Sequence, residues 1–156
     1  MYDQDERVAR LKTPEECEQF AKNVEARGKR ELALSARRRA VELRALAHNA
    51  NSAAEREALE AVYAYERVLS GNKGKKIRAT RTWQMIERHG IIGAVERVVN
   101  RPSEAKGYTA LVEMGLEDKA FEAVVLRHPQ VFSAGAVERS RERLNQLTAS
   151  SDEISR

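Results

Sequence analysis

The sequence has a single cysteine, Cys17, among its 156 residues, so no intramolecular disulfide can form. A chain without internal disulfides is typical of a reducing compartment, and we expect a cytoplasmic protein. No apolar run approaches the roughly 18 residues that a membrane-spanning helix needs, and no signal peptide opens the sequence. These absences predict a globular protein that has no membrane partner.

Candidate catalytic and metal-binding residues are also few. The three histidines, His48, His89 and His128, lie at different predicted helix ends and lack the spacing of converging zinc ligands. Cys17 stands among glutamates, whose charges disfavour a thiolate, so we expect a small buried or half-buried residue there. No isolated pair of carboxylates suits acid–base catalysis or magnesium binding. The sequence therefore predicts no enzyme activity, no metal and no cofactor.

Charge is plentiful but unevenly placed. The chain has 28 lysines and arginines against 24 aspartates and glutamates, which gives a net charge of +4. Residues 71–80 contain four basic residues and no acidic one, whereas the stretches before and after each sum to zero. We call residues 71–80 the basic segment. Because an anionic partner responds to local charge, this segment is the leading candidate for a binding site.

Capping residues, glycines and prolines divide the chain into helices. Thr13 with Glu16, and Ser52 with Glu55, match capping boxes at helix starts. Apolar residues recur at helical spacing, and no segment alternates convincingly enough to predict a strand. Helices are predicted over about residues 14–27, 30–48, 53–70, 83–89, 92–100, 108–114, 117–127 and 134–147. The fold class is therefore all-α.

The predicted helices form two lobes that meet at the basic segment. Residues 1–70 contain a helical hairpin extended into a three-helix antiparallel unit. Residues 81–147 form a second lobe of about five short helices. Residues 148–156 form a polar tail that we expect to fray.

One helix pair, over about residues 14–47, resembles a single tetratricopeptide repeat. The small positions of that repeat are matched by Ala21, Gly28, Ala33 and Ala40. The resemblance implies a protein-binding surface. Val24 and Arg37 stand where the family has aromatic residues, so an ordinary helical hairpin is the alternative interpretation.

The basic segment places two glycines among three lysines over residues 71–76. Glycines let backbone N–H groups approach a phosphate, and lysines supply positive charge. The spacing of Gly71 and Gly74 resembles the Gly-x-x-Gly turn of KH domains, which implies contact with a nucleic-acid backbone. That fold also has a β-sheet, which is not predicted here. A solvated linker between two helices is the alternative interpretation.

Residues 81–99 match the outline of a helix-turn-helix, with the turn around Gly90. The second helix would open with Gly93 and Ala94, which have no side-chain group that can read bases. Phosphate contact is therefore favoured over sequence reading. Two short core helices are the alternative interpretation.

The leading hypothesis is a nonenzymatic protein that binds the phosphates of DNA or RNA. Its candidate binding residues are Lys73, Lys75, Lys76, Arg78, Arg81 and Arg88. The alternative is a protein-interaction module, an adaptor or inhibitor, that uses the N-terminal helices. Tyr63 is the candidate contact for a protein partner, since it lies about 200° around its helix from Tyr65, which we assign to the core.

Overall fold

A computed structural model of the protein describes residues 5–71, 75–102 and 105–154. All regular elements within these ranges are helical, so the all-α prediction is confirmed. The α-helices are α1 (Glu6–Ala9), α2 (Pro14–Ala26), α3 (Arg30–Leu46), α4 (Ala53–Ser70), α5 (Thr80–Val99), α6 (Ala105–Glu113), α7 (Phe121–Arg127) and α8 (Ala134–Ile154). A 3₁₀ turn, Glu117–Lys119, precedes α7. None of the helices in the described ranges combines the length and the apolar character needed to cross a membrane.

The chain divides into two compact units, Met1–Asn49 and Ala50–Arg156. Helix α4 therefore belongs with the helices that follow it, and the predicted three-helix unit over residues 1–70 is not confirmed. The basic segment lies inside the second unit, between α4 and α5. It connects two helices of one core, so the structure does not place it at a boundary between lobes.

The first unit is built on the close packing of α2 against α3. Ala21, Ala33 and Ala40, three of the small residues that resemble a tetratricopeptide repeat, are fully buried. Small side chains let two helices approach closely. Arg37, at an aromatic position of that repeat, instead forms an ion pair with Glu25. The contacts are those of a helical hairpin held by alanine packing.

The predicted capping residues begin their helices as expected. Thr13 Oγ1 accepts a hydrogen bond from Glu16 N at 3.1 Å, and Ser52 Oγ accepts one from Glu55 N at 3.2 Å. Each glutamate side chain also bonds the amide of the residue before the cap: Glu16 accepts from Lys12 N, and Glu55 accepts from Asn51 N. The bonds from Glu16 N and Glu55 N to the capping oxygens satisfy amide groups that a helix start leaves unpaired.

The core of the second unit lies between α4, α5, α7 and α8. Its buried residues are Ala58, Ala61, Val95, Val99, Val124, Val125, Phe132 and Ala136. Gly90 interrupts α5 with φ +76° and ψ 170°, a conformation that is essentially restricted to glycine. Residues on either side of Gly90 are helical, so the predicted stop between two short helices is confirmed.

In contrast to the stop at Gly90, the predicted boundaries of two later helices were wrong. The helix predicted over residues 117–127 is divided at Ala120, whose extended backbone (φ −59°, ψ 147°) separates the 3₁₀ turn from α7. Helix α8 continues to Ile154 instead of ending near Leu147. The polar tail has no glycine or proline that would stop the helix, so polarity alone did not predict its end.

Candidate nucleic-acid interface

Residues 75–79, the described part of the basic segment before α5, are tied to the last turns of α4. Ser70 Oγ accepts a hydrogen bond from Ile77 N at 2.9 Å. The Glu66 carboxylate accepts one from Ala79 N at 2.8 Å. These two bonds hold the backbone of the segment at fixed points.

The same carboxylate also positions an aromatic side chain of α5. Glu66 Oε2 accepts a hydrogen bond from Trp83 Nε1 at 2.6 Å. The ring of Tyr63 packs against Trp83 with a centroid separation of 5.4 Å. On the same indole, the guanidinium carbon of Arg78 lies 4.8 Å from the ring centroid. Glu66, Tyr63, Trp83 and Arg78 therefore form one cluster, which we call the Trp83 cluster.

The prediction of which tyrosine is exposed was wrong. Tyr63 is half-buried because Trp83, on the first turn of α5, packs against it. Tyr65 is 39% exposed and touches Phe121 with its ring edge. Helix α4 has neighbours on more than one side, so helical periodicity could not tell which tyrosine would be covered. Nothing in the structure tests Tyr63 as a contact for a protein partner.

The candidate cations of the basic segment and of α5 are exposed. Lys75, Lys76, Arg78 and Arg81 form no ion pair with any described residue. Ala79, between Arg78 and Arg81, and Thr82, directly after Arg81, are buried. The backbone therefore turns these small residues inward and the cations outward. The four cations share one short stretch of backbone and are available to an anion.

Two further candidate residues are Arg88, which lies on α5, and Lys73, which the structure does not describe. Arg88 is exposed, and it lies seven residues after Arg81 on the same helical stretch. That spacing is close to two turns, so both arginines share a helix face about 10 Å apart along the axis. Lys73 and the middle of the Gly-x-x-Gly pattern, residues 72–74, lie outside the described residues.

The start of α5 adds to the positive potential. Its N-cap residue is Ala79, no side chain caps it, and no acidic residue occupies its first turn. Amide groups at a helix start carry partial positive charge and favour anions. Glu66, which accepts from Ala79 N, offsets part of this charge. The four exposed cations still outnumber this one half-buried carboxylate, so the local charge stays positive.

The second half of α5 contributes to the core. Ala94, Val95 and Val99 are buried there. At Gly93 an added Cβ would lie 3.1 Å from His89 Cβ, so the two helical turns are closely packed at this point. A core position accounts for these small and apolar residues. These contacts do not test the helix-turn-helix interpretation, in which phosphate contact is favoured over base reading.

Sequence reasoning missed a polar cluster between α4 and α7. Glu57 accepts a hydrogen bond from Arg127 Nε at 2.5 Å, and its other oxygen lies 2.7 Å from His128 Nε2. Burial raises the pKa of the Glu57 carboxyl, but the bonds from Arg127 and His128 outweigh it and hold that pKa below its ordinary value. Seventy-one positions separate Glu57 from His128, so no local pattern could have found the pair.

A buried ion pair lies one turn further along α4. Lys119 Nζ donates a hydrogen bond to Glu60 Oε1 at 2.8 Å. This pair and the Glu57 cluster join α4 to the 3₁₀ turn and α7. Across the described residues, no three His, Cys, Asp or Glu side chains are placed to hold a metal ion.

Cys17 is fully buried, and burial raises the pKa of its thiol. Nucleophilic and metal-binding cysteines react as thiolates, which this environment disfavours. The observed position agrees with the prediction of a small buried residue.

An arginine-lined pocket of about 310 Å³ lies at the C-terminal end of α5, with Arg101, Pro102, Arg139, Arg143, Gln146 and Leu147 around it. Arg139 donates to the carbonyl of Asn100 at 3.2 Å, and Arg143 donates to the carbonyl of Val99. Arg143 also pairs with Glu122 at 3.4 Å. Two of the three arginines therefore satisfy carbonyl groups at a helix end, as basic residues commonly do.

No protein-family model, curated protein or solved structure matches the chain.

Proposed function

We propose that the protein is a nonenzymatic nucleic-acid-binding protein that contacts backbone phosphates. The proposed contacts are Lys75, Lys76, Arg78, Arg81 and Arg88, together with Lys73, which lies outside the described residues. One observation carries the proposal: the whole net charge of the chain lies in the basic segment, and its described cations are exposed without ion pairs. We place this function in the cytoplasm, where a buried free Cys17 stays reduced.

Fixed backbone geometry supports phosphate binding by this surface. Ser70 and Glu66 hold residues 77–79 before any ligand arrives. Ordering a mobile loop at an interface costs free energy, so a segment that is already ordered binds more tightly for the same contacts. The uncapped start of α5 adds a partial positive charge beside Arg81.

The test is the salt dependence of nucleic-acid affinity. Each phosphate contact contributes about −0.9 to the slope of log affinity against log salt for duplex DNA, so three or four contacts predict about −3. Changing Lys75, Lys76, Arg78 and Arg81 together to alanine should flatten the slope. Affinity should fall equally for all sequences, since phosphate contacts carry no base information.

A matched control removes the same charge elsewhere. The control changes four exposed residues to alanine, Lys22, Arg30, Arg56 and Lys106. Like the test variant, it removes two lysines and two arginines and so lowers the net charge by the same amount. This control should keep most of the affinity and nearly the parental slope. Equal losses in both variants would mean that overall charge, and not the basic segment, drives binding.

A protein-interaction module is the second candidate. The exposed aromatic ring of Tyr65 favours it, because exposed tyrosine is enriched at protein interfaces. If the parent binds no DNA or RNA at low salt, the nucleic-acid proposal fails. Pull-down experiments with Tyr65→Ala and Tyr63→Ala would then show which helix face holds a partner.

A further inference from the structure

We propose that the ligand is single-stranded nucleic acid and that one unpaired base stacks on the guanidinium of Arg78. This inference rests on the proposed function and names its substrate class. The Trp83 cluster carries it, because that cluster gives one of the four cations a planar support that the others lack.

Arg78 is held over a ring that is itself fixed. Its guanidinium carbon lies 4.8 Å from the centroid of Trp83, within the range of a cation–π contact. The indole is fixed at its nitrogen by Glu66 and packed by Tyr63. Both supports come from α4, so the indole is held against a helix of the core. The stack is therefore formed before any ligand binds.

The Arg78 side chain is accessible to a second planar group. The residue is exposed and forms no ion pair with described residues. Its guanidinium carbon lies over the Trp83 ring, which leaves the exposed side chain open to a ligand from solvent. Guanidinium planes are platforms on which splayed bases stack in RNA-binding proteins. The order from the core outward would be Trp83, Arg78 and base.

An unpaired base fits this arrangement better than a duplex does. Bases inside a duplex are already stacked and paired, so their faces cannot reach a side chain without being flipped out. Single-strand sites combine a cationic path for the backbone with planar side chains for the bases. Lys75, Lys76 and Arg81 supply the path, and Arg78 supplies the plane. A surface made only for duplex phosphates would need no such planar support.

The chain contains one tryptophan, Trp83, so fluorescence excited at a wavelength that only tryptophan absorbs reports on this site alone. Three probes separate the contributions: an oligo(dT) or oligo(U) strand, a duplex of equal length, and inorganic polyphosphate, which has charge but no bases. We expect the single strands to change Trp83 fluorescence and to bind more tightly than the duplex at equal salt.

Arg78→Lys is the decisive variant, because it keeps the charge and removes the plane. Its affinity for oligo(dT) should fall about tenfold, the typical loss for one stacked base. Its affinity for polyphosphate should stay within twofold of the parent. Arg56→Lys is the matched control, since it makes the same exchange at an exposed arginine outside the proposed surface. This control should leave affinity for oligo(dT) within twofold of the parent.

The two proposals fail in different ways. If Arg78→Lys binds oligo(dT) as the parent does, or the duplex binds as tightly as the single strand, the stacking inference is wrong while phosphate binding stands. If the parent binds none of the three probes at low salt, both are wrong. Circular dichroism and melting of each variant ensure that only folded protein is compared.

Discussion

The buried ion pair between Lys119 and Glu60 gives the sharpest test of how the second unit is held together. The Nζ–Oε1 distance is 2.8 Å, and the two side chains are only 4% and 13% exposed. Changing Lys119 to methionine keeps most of the apolar stem but leaves the Glu60 carboxylate buried without its cation. Loss of one partner from a buried pair costs about 3–5 kcal/mol.

Thermal unfolding followed by circular dichroism at neutral pH measures this cost. For a unit of this size, about 4 °C is lost per kcal/mol, so the melting temperature should fall by about 12–20 °C. Changing Glu60 to methionine as well should restore most of the loss, because two apolar side chains of similar volume often replace a buried pair at little cost.

An exposed pair provides the control for this experiment. Arg141 and Glu138 are 2.8 Å apart, but their side chains are 56% and 61% exposed. Arg141→Met should cost at most about 1 kcal/mol, because solvent screens such pairs. If Lys119→Met costs no more than this control, the buried pair does not hold α4 to the 3₁₀ turn. If the double variant is as unstable as the single one, the unpaired Glu60 carboxylate is not the source of the cost.

Three further predictions concern stability, each measured by urea unfolding. Glu57→Gln should destabilise the protein most at neutral pH. The pKa of the Glu57 carboxyl is lowered in the folded state, so the stability that it adds is fully present above its unfolded-state pKa and is lost as pH falls through its folded-state pKa. A cost of the substitution that grows toward pH 3 would contradict this. Gly90→Ala should cost about 1–3 kcal/mol because of its positive φ, whereas Gly107→Ala inside α6 should be neutral or stabilising; equal effects would refute the strain argument. Ser52→Ala should cost about 1 kcal/mol through the lost cap, and an unchanged stability would assign no value to that bond.

Features that depend on neighbouring residues could be predicted from the sequence. The caps at Thr13 and Ser52 involve partners three or four positions away, and the break at Gly90 depends on one residue's backbone. Such local terms are readable because the chain itself brings the partners together. The burial of Cys17 was expected from the glutamates next to it in the sequence, because they disfavour a thiolate.

Features that depend on distant partners could not be predicted in this way. Glu66 bonds Trp83 across seventeen positions, and Glu57 meets His128 across seventy-one. Helix α4 is rich in alanine, a residue that packs closely against whichever helix it meets, so its sequence did not reveal which unit it joins. The exposure of Tyr63 and Tyr65 was reversed because it depends on where α5 lies.

Composition located the charge of the basic segment but gave all of its cations equal weight. On a free linker, Arg78 and Lys76 would bind any polyanion by charge alone and would be interchangeable. Glu66 makes them unequal, because it fixes the backbone at Ala79 and the indole at Trp83, and Arg78 then lies over the ring. From charge alone, the negative Glu66 carboxylate would be expected to weaken anion binding. In the proposed site its geometric effect is the opposite, since it fixes the backbone beside Arg78 and holds the ring over which that residue lies.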